Sequence, residues 1–237
     1  MYGTIQVKLA VPDSVMAYLV HQCQQANSLI NSTLFHIRQA HFAQCPRKTF
    51  FDDHGMFRTA FKLRTVKTSY PELCKQMKES LHYGLLGGQC AQQTLKGIAE
   101  SFASFNQILK RFFLGVGSRP KMPRYRKRGG LAPISFPAQA LKFDIENGQC
   151  RIPISKENKE FVKDEFGLSE LWINGCAGIN PNQIAELRIL PRNGFFYAEY
   201  VYKGQDYQSN LDFGKALGID PGLNNWLTCV NSILDFR

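Results

Sequence analysis

The chain has 237 residues, 44% of them hydrophobic and 20% charged, with a formal net charge of +10. That composition is globular, not disordered, and the length suits one large domain or two modest ones. Seven scattered cysteines with no CxxC pair exclude a disulfide scaffold, and no stretch suits a signal peptide or membrane span, so an intracellular protein with reduced thiols is expected.

The charge is unevenly spread. Residues 1–118 hold 13 basic and 6 acidic side chains, residues 119–130 add six cations and no acid, and residues 131–237 hold 10 basic and 13 acidic. A strongly basic first half followed by a cationic run points to a polyanionic partner, nucleic acid first. The plain alternative is a basic protein without such a partner.

Residues 4–11, TIQVKLAV, alternate as a strand that Pro12 closes. Asp13 or Ser14 is then placed to cap a helix whose apolar positions run from Val15 through Tyr18, Leu19, Cys23 and Ala26 to Ile37. Residues 45–55 read as a loop, 57–67 as a short basic helix, and Pro71 opens another helix over 72–78. The clearest period lies in 89–113, where Leu95, Ile98, Phe102, Phe105, Leu109, Phe112 and Phe113 form one apolar stripe. Residues 13–115 thus predict a helical bundle. Composition breaks at Gly115, and GVGSRPKMPRYRKRGG reads as an extended connector. Strands follow at 134–136, 141–145 and 149–154, with Asn147-Gly148 a turn signal, then at 184–190 and 195–202 around Arg192-Asn193-Gly194. A last pair of apolar runs, 216–219 and 226–230, flanks Asp220 and the polar turn Asn224–Asn225.

Two features carry chemistry. Arg119, Lys121, Arg124, Tyr125, Arg126, Lys127 and Arg128 place six cations and an aromatic ring in ten residues, kept extended by Pro120 and Pro123. Guanidinium forks pair with phosphate oxygens, and tyrosine stacks on bases; the competing reading is a solvated linker. Asp220 ends a short apolar run in the manner of a carboxylate aimed at a divalent metal, although Asp-Pro-Gly is equally a turn tripeptide. Asp235 is near in sequence, but nothing places it at the same site. The five histidines show no triad or metal spacing, Cys45 and His54 lack companions for zinc, and the glycines of 84–88 lack the ending of a phosphate loop.

Three segments, in order, resemble the TnpB (OrfB) family of transposon-encoded RNA-guided nucleases. They are QQTLKGIAESFASFNQILKRFF (92–113), then KMPRYRKRGG with ISFP and LKFDIENGQCRIPI (121–154), and ALGIDPGLNNWLTCV (216–230). The resemblance implies an α+β fold with a helical recognition domain (13–118) inserted in a wedge β-barrel (1–12 and 119–205, with the basic connector 119–130). The first hairpin of an RNase H-like (RuvC) nuclease domain follows in 206–237. It implies guide RNA and double-stranded DNA as partners, no membrane, a nucleoid-associated cytoplasmic location in a prokaryote, and Mg²⁺ as the family's cofactor. Asp220 corresponds to the first metal ligand, and Pro221 is an ordinary variation after it. The family's later glutamate, zinc-binding cysteines and final aspartate have no counterpart here. The expectation is therefore a C-terminally truncated, nuclease-inactive form with no metal bound. The alternatives are half of a split nuclease, completed by a C-terminal polypeptide, and an RNA-guided DNA-binding repressor.

Overall fold

The N-terminal strand finds its partner almost two hundred residues away. In the computed structural model, which describes residues 2–61, 64–175, 178–204, 214, 217–220 and 228–231, β1 (Tyr2–Lys8) pairs antiparallel with a strand near residue 200, Tyr2 opposite Lys203 and Lys8 opposite Tyr197. Between the two in sequence lie the helices, two small sheets and two further strands of this same sheet. β1 begins and ends earlier than its alternation suggested, and beyond it Leu9 still donates its N–H to Phe196 O at 2.9 Å while its side chain enters the core.

The intervening chain starts with α1 (Asp13–Ala43). Pro12 occupies the cap position and no side chain caps the first turn, so neither Asp13 nor Ser14 serves as predicted. Proline's fixed φ presets the helix entry instead, and Asp13 in the first turn complements the helix dipole. Next come β2 (Arg47–Phe51) and β3 (Phe57–Phe61), a two-stranded hairpin where a loop and a basic helix were expected. The Asp52 carboxylate nucleates it, accepting the His54 and Met56 amides and the Arg58 guanidinium, and Gly55 supplies the positive φ of the turn. With Thr and Phe on both arms, strand propensity prevails over the helical reading.

Three helices follow: α2 (Tyr70–Met77), α3 (Leu81–Leu86) and α4 (Gly88–Phe113). The predicted stripe of α4 is buried at Leu95, Ile98, Phe102, Phe105 and Leu109, while Phe113 faces out. The β segments come next as β4 (Ile134–Pro137), β5 (Lys142–Asp144), β6 (Gln149–Ile152), a helix α5 (Lys159–Phe166), β7 (Leu171–Asn174), β8 (Ile184–Arg192) and β9 (Phe195–Lys203). α3, α5 and β7 are too short to register as periodic runs. The strands β1 and β4 to β9 form two antiparallel sheets, of order β1-β9-β8-β4 and β5-β6-β7.

The β8–β9 hairpin turns at Asn193 and Gly194, both at positive φ, as predicted for that dipeptide. The β5–β6 hairpin differs: its loop has four residues, because Asp144 pairs with Gln149 and the Asp144 carboxylate takes both the Asn147 amide and its side chain. Residues 2–203 form one unit. A single apolar core runs from α1 and α4 into both sheets, with Tyr200, Phe102 and Leu19 fully buried.

The second unit comprises Met1 and residues 204–237. In it, β10 (Leu217–Asp220) pairs antiparallel with β11 (Thr228–Asn231), and Asp220 lies opposite Thr228. Residues 217–219 and 228–230 of the two apolar runs thus lie in paired strands, and the expected turn at Asn224–Asn225 falls outside the described residues. The fold is mixed α+β. Among the described residues no helix is long and apolar enough to cross a membrane.

Candidate nucleic-acid interface

The basic connector carries no regular secondary structure, yet its second half is anchored from Pro123 to Lys127. Asn27, Asn31 and Arg38 project from α1 and grip its backbone. The Asn27 amide donates to the Lys127 carbonyl (3.0 Å), and Asn31 donates to the Arg126 carbonyl (3.1 Å) while accepting the Arg126 N–H (2.8 Å). Arg38 donates to the Pro123 carbonyl and sets its guanidinium 4.7 Å from the centre of the Tyr125 ring. The run closes in a turn, Gly130 N–H to Lys127 O, where a side chain at Gly130 would crowd that carbonyl at 3.0 Å. Four backbone groups within residues 123–127 are thus held by one helix and not left to water.

Anchoring the backbone leaves the charges outward. Arg119, Lys121, Arg124, Arg126, Lys127 and Arg128 are all exposed, and none forms an ion pair with a described residue. Tyr125 is 46% exposed, so its ring serves both Arg38 and solvent. Six unpaired cations held on one track repel one another, and a polyanion relieves that repulsion.

Arg188 provides the contrast. It bonds Glu186 at 3.0 Å and Glu199 at 3.2 Å, and these bonds hold its guanidinium still more firmly protonated than usual. Its charge is satisfied within the sheet.

Arg124 and Arg126 border a cleft of about 400 Å³ between the connector, β4 and α4. Its α4 wall offers Gln93, Thr94, Gly97 and Ser101, and its apolar lining includes Leu34, Ile98 and Ile134. A second cleft adjoins it, sharing Gln93 and Arg188 and adding Lys96. The cleft had no sequence signal, because its walls come from residues 30 to 188 and meet only on folding.

Two polar groupings also escaped the sequence. His21, assigned no role, packs beside the Phe161 and Phe166 rings at 5.5 and 5.6 Å, and Gln25 links it to His82. Burial lowers the His21 pKa below the ordinary imidazole value. Cys45 Sγ lies 3.3 Å from His41 Nε2, one helical turn away. These are pairs: among the described residues no three His, Cys, Asp or Glu side chains gather as a metal site.

Asp220 stands at the end of β10, and Asp235 falls outside the described residues. The donor set that Mg²⁺ requires, several hard oxygens in octahedral array, is not assembled among the described residues. No protein-family model matches this chain, and no curated protein matches it.

Proposed function

We propose that this protein is a TnpB-like nucleic-acid-binding protein of the RNA-guided nuclease type, and that the connector track is its principal contact with the phosphate backbone. The observation that carries the reading is the pairing of rigid backbone with free charge: α1 grips residues 123–127, and all six cations of 119–128 remain exposed and unpaired among the described residues. Phosphate contacts of this kind position a strand and carry no sequence information. Specificity then comes from guide pairing, with the protein reading backbone and a short flanking motif.

Support also comes from the order of elements. A strand at the N-terminus that returns to pair with β9 around inserted helices is what a split wedge β-barrel requires. The β10–β11 pairing, with Asp220 at its edge, accords with the opening hairpin of a RuvC-like domain. On this reading Asp220 is one metal ligand of several, and the remaining carboxylates come from residues beyond those described or from a second polypeptide.

The test is a titration of the chain with a stem-loop RNA bearing a single-stranded tail, across a series of salt concentrations. The expected result is tight binding whose logarithm falls linearly with the logarithm of salt concentration. Absence of binding at low salt overturns the reading. For Asp220, the expected result is that Mg²⁺-dependent cutting, in a chain supplied with further RuvC carboxylates, disappears on Asp220→Asn while RNA affinity stays the same. Cutting that survives the substitution removes Asp220 from the site.

A further inference from the structure

The cleft beneath the track asks for an occupant more specific than a phosphate chain. α4 crosses under the connector with Leu95 and Ile98 packed into the core, yet Gly97 between them is exposed. A Cβ built at Gly97 meets nothing within 4 Å. A glycine inside a helix weakens it relative to alanine, through backbone entropy. Neither chirality nor crowding requires one at 97, since the space above it is open and its φ is not left-handed. What the missing side chain provides is room in the cleft.

The lining says what that room suits. Apolar walls from Leu34, Ile98 and Ile134 stand close to the unpaired guanidinium side chains of Arg124 and Arg126. Gln93 adds an amide that makes no hydrogen bond among the described residues and so offers a donor and an acceptor together. An apolar lining, a fork for phosphate and a free amide are the three chemistries of a nucleotide: base face, phosphate and base edge. The volume, about 400 Å³, lies in the range of small-ligand pockets. The adjoining cleft, which shares Gln93, adds Lys96 as a cation for the next phosphate beside Glu186, whose carboxylate is already paired with Arg188.

Resting on the nucleic-acid-binding reading above, we infer that this cleft takes one unstacked nucleotide of a bound RNA strand. The base lies over Gly97, its edge meets Gln93, and its phosphate meets Arg124 and Arg126. The track holds the strand, and the cleft draws one base out of the stack.

The experiment uses the full chain and a short single-stranded RNA carrying 2-aminopurine, whose fluorescence rises when the base leaves its stack. Wild-type protein is expected to bind it with a rise in emission. Gly97→Leu fills the slot with a better helix former. It is expected to raise Tm by about 2–4 °C and to cut affinity by about 5- to 150-fold, the worth of one base stack, with the salt slope unchanged and the emission rise lost. Gln93→Ala, a milder change, is expected to alter the preference among the four bases at one position and leave the salt slope alone. A wild-type complex without an emission rise overturns the proposal, a result that needs no variant to fold. So does Gly97→Leu protein that binds and brightens the probe as wild type does. If neutralising the track abolishes binding while Gly97→Leu does not, the cleft inference falls and the nucleic-acid reading stands. If the wild-type chain fails to bind RNA at all, both fall.

Discussion

Replacing Arg124, Arg126, Lys127 and Arg128 together by alanine isolates the charge of the track from its shape. The grip of α1 on this segment uses the main-chain groups of Arg126 and Lys127, which alanine keeps. None of the four side chains is in an ion pair with a described residue. Folding stability is therefore expected to change by less than about 0.5 kcal/mol, the ordinary range for exposed substitutions. Binding responds differently. Each cation that neutralises a phosphate contributes about 0.7 to the slope of log affinity against log salt on a single strand, and about 0.9 on duplex DNA. Losing four contacts on a single strand flattens the slope by about 3, so a fourfold rise in salt removes about 50-fold less affinity than it does from wild type. Gel shift or fluorescence anisotropy with one stem-loop RNA at several salt concentrations measures both intercept and slope. Unchanged affinity and slope, with unchanged melting, would refute the assignment of these side chains to the interface.

Asn31→Ala removes no charge but releases both hydrogen bonds to Arg126; at about 1 kcal/mol each, hydrogen exchange at the Arg126 amide should quicken and affinity fall with the salt slope preserved. Unaltered protection at that amide would mean that Asn31 does not hold the track. Phe102, fully buried in the α4 stripe, should cost about 3–5 kcal/mol on truncation to alanine, read by denaturant unfolding, and a loss below about 1 kcal/mol would contradict its place in the core. Burial lowers the His21 pKa below its unfolded value near 6.5, so the unfolded chain binds that proton more readily and stability, full above about pH 6.5, is lost as pH falls through the folded value. His41, lowered by burial and then by Arg64, acts in the same window. His21→Gln should accordingly flatten the acid limb of a stability-against-pH curve without abolishing it, and an unchanged limb would exclude His21 as a contributor.

The sequence by itself determined the elements whose signal is written in near neighbours. The stripe of α4 recurs every three or four residues and folds as a helix with that face inward. Asn193-Gly194 specifies a turn that needs two positive φ values, and residues 217–219 and 228–230 of the last two apolar runs pair in β10 and β11. The concentration of cations in 119–128 is likewise a property of the string. Where neighbours are uninformative, the reading failed. β2 is exposed throughout, so it shows no buried alternation, and a carboxylate bonding two and four residues ahead made a hairpin of a segment read as loop and helix. Only the tertiary structure decided the rest. The same cationic string serves equally as a loose linker; it becomes a track because Asn27 and Asn31 meet backbone 100 and 95 residues later. β1 closes on β9, and the cleft over Gly97 takes its walls from both helices and the sheet. Periodicity records which face of an element is buried. Which distant polar group meets that element is fixed only when the core packs, because an amide on a helix surface bonds water equally well until another backbone is brought against it.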